Sequence, residues 1–203
     1  MHDPLAPYTL ASRSPRRRAI LAAAGFVFDV VDSTLEELLD DSVPPAQLAQ
    51  RLALAKARAA VAFVACGTVI AGDTIVECRG RQLGKPRDRE HAVAILRELS
   101  GSRHQVISAV ALLHRDSGFC EVGVDATSVT MKPMSAAEIQ AYVDSGEADG
   151  KAGAYAIQET GDRFVIALEG EYDTVVGFPL RLFRRLHAQL TRRVTSGGPC
   201  SAI

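Results

Sequence analysis

The sequence predicts one α/β domain, and three observations carry that expectation. Short β-branched or aromatic runs alternate with Ala- and Leu-rich stretches of helical period along the chain. The first such run, Thr9 to Ala11, passes into a helix at Pro15 with only Ser12, Arg13 and Ser14 between. The 203 residues contain no repeat and no linker that would split them, so a single core is expected.

The stretch from Leu10 to Arg18 organises the rest. Ser14 stands where a cap belongs, its hydroxyl able to accept from a backbone N–H one turn in. Pro15 takes the first helical position, where its missing N–H costs nothing. The free N–H groups and the dipole of that helix favour an anion above the sheet. Arg16, Arg17 and Arg18 oppose the dipole, so they are either a solvated basic turn or part of an anion site. Phosphate suits their planar guanidinium groups. The helix is expected to run to about Ala24 and to stop at Gly25.

Phe26 to Val31 reads as a strand. Asp32 to Pro45 is an acidic loop carrying Glu36, Glu37, Asp40 and Asp41. It is either solvated or lends one carboxylate to a divalent cation that also touches phosphates. Pro45 to about Ala65 is a helix with Leu48, Leu52, Ala55 and Ala59 facing the core. Lys56 and Arg58 lie late in it, where cations suit the dipole, so nothing local marks Lys56 as functional.

Thr68 to Ala71 reads as a buried strand, followed by Gly72, Asp73 and Thr74. An acid directly after an apolar strand is held at a sheet edge, where open α/β folds place reacting groups. The strand resumes at Ile75 to Cys78, and a hairpin turns around Arg79, Gly80 and Arg81. Gly84 and Pro86 then hold Lys85 in a rigid turn. Asp88 caps a helix to about Leu99. Val106–Leu113 and Val122–Met131 form a hairpin, and Ser135 with Glu138 is a capping box opening a helix to about Ser145. Gly146 to Ala154 is a flexible polar segment with Lys151, after which Tyr155 to Glu159 brings a polar pair behind an apolar run. Phe164–Leu168 is a strand, Gly170 to Asp173 a turn, and Pro179 opens a last helix to about Leu190. The domain is therefore expected to span residues 1–190, with 191–203 a flexible tail.

Composition excludes several classes. With 23 basic and 24 acidic residues the net charge is −1, so no global field favours nucleic acid or an anionic membrane. No stretch suits a membrane span or a signal peptide, which makes cytoplasm the expected location. Cys66, Cys78, Cys120 and Cys200 lack metal-ligand or redox spacing and read as reduced, mostly core thiols.

Taken together and in order, several of these pieces resemble the Maf family of nucleoside triphosphate pyrophosphatases. They are Leu10–Arg17, Gly72-Asp73-Thr74, Leu83–Asp88, Leu99-Ser100-Gly101, Lys151–Gln158 and Val175–Leu180. The resemblance covers about Thr9 to Leu190. It implies a long, twisted mixed sheet flanked by helices, with two lobes around a central cleft, like the inosine triphosphate pyrophosphatases. It implies hydrolysis between the α- and β-phosphates with a divalent cation such as Mg²⁺, Mn²⁺ or Co²⁺. Matched by position, it puts catalysis on Asp73, Lys85 and Glu37, and substrate binding on Ser12, Arg16, Arg17, Lys56, Thr74 and Gln158. Asp73 and Glu37 would hold the metal, and Asp73 would orient or deprotonate the attacking water.

The Lys151–Gln158 segment resembles the branch that prefers dTTP and UTP rather than the one acting on 7-methyl-GTP. The Gln158 amide offers a donor and an acceptor to a uracil or thymine edge, or else only tethers its loop. Gly72 stands where the family usually has Ala, Glu159 where Gly is common, and Asp162 and Arg163 replace a small apolar stretch. The expected partner is a nucleoside triphosphate, with no nucleic acid and no membrane; a homodimer is left open. The alternative function is a nucleotide-binding regulator of cell division with little turnover. A nucleic-acid-binding module ranks last, because a pI near 6.5 and few aromatics oppose it.

Overall fold

A computed structural model of the protein describes residues 3–32, 39–158 and 160–197. In chain order the elements are β1 (Tyr8–Ala11), α1 (Pro15–Ala23), β2 (Phe28–Val31), α2 (Pro45–Val61), β3 (Thr68–Cys78) and β4 (Arg81–Leu83). There follow α3 (Arg89–Leu99), β5 (Arg103–His114), β6 (Cys120–Met131), α4 (Ala136–Asp144), β7 (Val165–Glu169), α5 (Tyr172–Val176) and α6 (Leu180–Ser196). Short 3₁₀ turns lie at Ala152–Ala154 and Thr160–Phe164.

Among the described residues seven strands make one open sheet in the order β2-β1-β3-β5-β6-β7, with β4 added to β3. β1 runs parallel to β2 and β3, and every other pairing is antiparallel, as the mixed sheet implied by the resemblance requires. The long strands β3, β5 and β6 pass through both lobes. In the first lobe, α6 lays Leu182, Phe183, Leu186 and Leu190 on one face, against Leu10, Ile70, Val110 and Leu112. The other face carries Ala71, Ala109 and Ala111, small enough for the alanines of α2 (Ala49, Ala53, Ala57, Ala60) to pack closely. The second lobe encloses Val76, Val106 and Val129 with Leu96 and Leu99 of α3 and Ile139, Tyr142 and Val143 of α4.

Several boundaries differ from the sequence reading. The first strand pairing after α1 begins at Phe28, because Gly25 turns with φ +87° and Phe26 leaves the sheet line to stack edge-on with Tyr8 and Phe183. α2 stops at Val61 rather than Ala65. The expected turn over Gly170–Asp173 instead opens a short helix, α5, closed by Gly177 in the left-handed conformation at φ +109°. α6 continues to Ser196, past the expected stop at Leu190, because Val194 still packs on the core and the Thr195 hydroxyl bonds back to the Thr191 carbonyl at 2.9 Å. Of the described cysteines only Cys78 is buried, and Cys66 is exposed, which corrects the expectation of core thiols. No described helix is long and apolar enough to cross a membrane.

The largest correction concerns Asp73. It does not follow a strand at the sheet edge; β3 is one continuous strand of 11 residues, and Asp73 lies inside it opposite Ala109 of β5. A related feature explains why the residue is still accessible to chemistry. β1 ends at Ala11, beside Ala71, and β4 pairs with β3 only from Val76 onward. Gly72 to Ile75 therefore have a strand neighbour on the β5 side alone, and the sheet is notched where the two lobes meet.

Candidate active site

The notch opens into a cleft of about 1090 Å³. Ser12, Arg16, Arg17, Lys56, Asp73, Thr74, Lys85 and Gln158 all line it, so the fold brings together every candidate residue that the described segments contain. Glu37 lies outside the described residues. Eight Lys and Arg side chains line the cleft against three Asp, on a chain whose net charge is −1. This is a local concentration of positive charge of the kind that a polyphosphate neutralises.

The loop from β1 into α1 is built as its sequence implies. Ser14 caps α1 by accepting from Arg17 N, and Pro15 occupies the first helical position. The Ser12 hydroxyl, nearly buried, accepts from Ser14 N at 3.2 Å and from Arg17 Nη1 at 3.3 Å. Arg17 further donates from Nε to the Gly177 carbonyl at 2.9 Å and from Nη2 to Thr74 Oγ1 at 3.1 Å. Three donors of its planar fork are thus held by three separate segments, which makes Arg17 a brace between β1, β3 and the end of α5. Gly72 lies under this brace: a methyl group there would stand 3.3 Å from Arg17 Nε and 3.0 Å from the Ala109 carbonyl oxygen. The departure from Ala at this position leaves the guanidinium room.

Successive residues of a strand face opposite ways, so Asp73 points away from Gly72 and Thr74, toward α2. There Lys56 Nζ meets Asp73 Oδ1 at 2.6 Å, with both side chains about 5% exposed or less. Helix-dipole placement is therefore not what Lys56 is for; the alanine-rich face of α2 lets the helix approach β3 closely enough for a buried lysine to reach the aspartate. Taking two charges out of water is costly, and such a pair is weak support for stability, which favours a chemical role for it.

The opposite wall comes from the second lobe. Gly153, with φ +72°, donates its N–H to the Gly84 carbonyl at 3.1 Å and packs against Val76, where a Cβ would meet the valine at 2.9 Å. This contact ties the segment carrying Lys151 to the turn carrying Lys85, so the polar segment expected to be flexible folds against the sheet. Lys151 Nζ donates to the Glu147 carbonyl. Tyr155 is buried with its hydroxyl 2.9 Å from His104 Nε2, and burial raises its pKa while pushing His104 down to about 4. Ala156 N donates to Tyr142 Oη at 3.1 Å, which leaves Gln158 exposed at the rim of the cleft. Arg13, paired with Asp32, and Arg81, Arg87 and His91 complete the lining.

Gly177, Arg87 and His91 were not singled out from the sequence. Gly177 stood within a motif of the resemblance, but its part depends on a left-handed turn that only the folded α5 reveals. No sequence signal marked Ser108 of β5, one hydroxyl in an apolar run, although its Oγ lies 2.9 Å from Thr74 Oγ1.

The donor set admits a divalent cation of the hard, oxygen-binding class. Among the described residues no three His, Cys, Asp or Glu side chains form a cage. Among the described residues Asp73 is the one carboxylate at the notch. One or two carboxylates completed by substrate phosphates is how Mg²⁺ is usually held.

Comparison with known proteins adds to this geometry. Residues 7–190 match the family described as Maf-like protein. A dTTP/UTP pyrophosphatase of Salinibacter ruber is 45% identical over 184 residues, covering 90% of this chain and 90% of that protein. One of Syntrophomonas wolfei is 41% identical, covering 92% and 97%. A third, of Vibrio cholerae, is 46% identical, covering 84% and 91%.

Proposed function

The chain belongs to the Maf-like protein family, and from that premise we propose that it is a nucleoside triphosphate pyrophosphatase. Its substrates are dTTP and UTP, the nucleotides named for its relatives, and its products are the nucleoside monophosphate and pyrophosphate. One observation carries the reading: a buried Lys56–Asp73 pair sits in the notch of a cleft lined by eight Lys and Arg residues.

In this reading the triphosphate lies between the start of α1 and the Lys85 turn. The N–H groups at the start of α1, Arg16 and Lys85 bind phosphate oxygens, and Ser12 donates its O–H to one of them. Lys56 balances the charge of the Asp73 carboxylate and fixes its direction. Asp73 accepts a proton from the water whose oxygen bonds to the α-phosphorus, and the bond from that phosphorus to the bridging oxygen breaks. Pyrophosphate leaves with its charge held by Arg16 and Lys85, so positioning and electrostatics supply most of the rate. A Mg²⁺, Mn²⁺ or Co²⁺ ion, when bound through Asp73 and Glu37, would lower the water pKa and neutralise phosphate charge. Gln158, on the far rim, reads the base edge with its amide.

The test is a product assay over dTTP, UTP, CTP, 7-methyl-GTP and ITP, with each metal and then with chelator, scoring pyrophosphate apart from orthophosphate. Metal-dependent pyrophosphate from dTTP and UTP is expected. Pyrophosphate from 7-methyl-GTP or ITP alone would overturn the base reading. Triphosphate binding without any product would favour the nucleotide-binding regulator.

A further inference from the structure

On the face of the sheet that carries Thr74, a chain of hydrogen bonds runs from Arg17 across β3 and β5 to Asp125 of β6, and its direction follows from the atoms alone. A guanidinium only donates, so Thr74 Oγ1 accepts from Arg17 Nη2 at 3.1 Å. A carbonyl only accepts, so Ser108 Oγ must give its one proton to the Thr174 carbonyl oxygen at 2.8 Å. The 2.9 Å contact between Thr74 and Ser108 can then be made only by the Thr74 proton. Beyond it, the Thr174 hydroxyl donates to Asp125 Oδ2 at 2.7 Å.

Two cleft hydroxyls therefore have opposite assignments. Ser12 accepts twice, from Ser14 N and Arg17 Nη1, which leaves its proton as a donor for a ligand. Thr74 has its proton engaged by Ser108 and a lone pair engaged by Arg17, so it has no proton to offer a phosphate oxygen. Ser108 is fully buried, between Val106 of the second-lobe core and Val110 of the first. A buried hydroxyl between apolar neighbours costs free energy unless bonded, and this one has both bonds. Close packing keeps the chain in line, since a Cβ on Gly177 would stand 3.1 Å from Thr74 Oγ1.

We propose that Ser108, backed by Thr174 and Asp125, is a positioning residue for phosphate binding, and that Thr74 is a link to it rather than a substrate contact. Ser108 orders Thr74 as an acceptor, Thr74 holds Arg17, and Arg17 holds the Ser12 hydroxyl with its proton toward the ligand. The inference rests on the phosphate-binding reading above and on no step of the hydrolysis.

The experiment combines two readouts on Ser108→Ala, Thr74→Val and Thr74→Ser, each checked for an unchanged melting profile. The first is solvent exchange of the Arg17 Nε–H, followed by NMR without ligand. It should be slow in the unmodified protein and in Thr74→Ser, and faster in the other two variants. The second is calorimetric binding of inorganic triphosphate, whose Kd should rise about threefold to tenfold in Ser108→Ala and Thr74→Val alike. Thr74→Ser should restore it, and Ser108→Ala should add little to Ser12→Ala. Unchanged Arg17 exchange in Ser108→Ala would overturn the relay. Faster exchange with unchanged Kd would overturn its part in phosphate binding. A Kd raised by Thr74→Val but not by Ser108→Ala would return Thr74 to direct contact. Absence of pyrophosphate from every nucleotide, with triphosphate still bound, would sink the hydrolase reading while these two readouts still decide the relay.

Discussion

At the scale of single residues, Lys56 and Asp73 illustrate how a costly pair can be separated into its structural and chemical parts. Asp73→Asn removes the charge that compensates a buried ammonium, so stability should fall by roughly 3–5 kcal/mol. Turnover should fall about 10²-fold or more, the usual effect of losing a positioned proton acceptor. The double variant Lys56→Met with Asp73→Leu should recover most of the stability and none of the turnover, as denaturant titration and pyrophosphate release would record. Active protein from that double variant would refute the assignment of Asp73. His104 makes a second case, because burial holds its folded pKa at about 4, below the ordinary 6.5. Folding thus favours the neutral ring: its contribution is complete above about pH 6.5 and is lost as the pH falls toward 4. The loss is on the order of 3 kcal/mol at most. His187, lowered by partial burial, slopes the same way. Melting temperature against pH should accordingly be flatter over this window in His104→Gln, which keeps a polar partner for Tyr155, than in the unmodified protein.

At the scale of elements, the five residues of α5 contribute more to the site than their length suggests. Their end supplies the Gly177 carbonyl that fixes Arg17, while Asp173 Oδ2 accepts from Leu180 N at 2.7 Å and sets the start of α6. Gly177→Ala would place a Cβ in the left-handed region and 3.1 Å from Thr74 Oγ1. It should cost about 1–2 kcal/mol in stability from backbone strain, and it should raise KM for the triphosphate more than it lowers kcat. Equal kcat and KM in the two proteins would show that α5 does not govern the brace. The capping box of α4 offers a control away from the cleft: Ser135→Ala should lower stability by about 1 kcal/mol and leave both kinetic constants alone.

At the scale of the whole molecule, the two lobes place an excess of cations in one cleft of a protein that is nearly neutral overall. Attraction of a triphosphate should then be local and sensitive to salt. KM for dTTP should rise several-fold between about 0.05 and 0.5 M salt, where the screening length shrinks to a few ångströms, with kcat little changed. Steady-state kinetics at matched metal concentration would test this, and a KM insensitive to salt would remove electrostatics as the main source of affinity.

The order of strands and helices, the caps of α1, α3 and α4 and the β5–β6 hairpin were legible in the chain itself. They are local features, set by periodicity, turn residues and capping groups within a few positions of one another. The start of α1 was legible in the same way, since Ser14 and Pro15 are local signals, but the three arginines after them fitted a solvated basic turn as well as an anion site. Other features needed the third dimension. Lys56 looks like an ordinary helix cation until the alanines of α2 and β3 bring it to Asp73, 17 residues on in sequence. Asp73 sits inside a strand yet faces a cleft because β1 stops beside Ala71, which is a property of the neighbour and not of the residue. α5 formed where turn residues suggested none, since its middle is held by Thr174 to Asp125 and its end by Gly177 to Arg17. Ser108 carries no local signal at all. Sequence determines what each segment can form by itself, and only the fold decides which distant groups share one proton, one charge or one cleft.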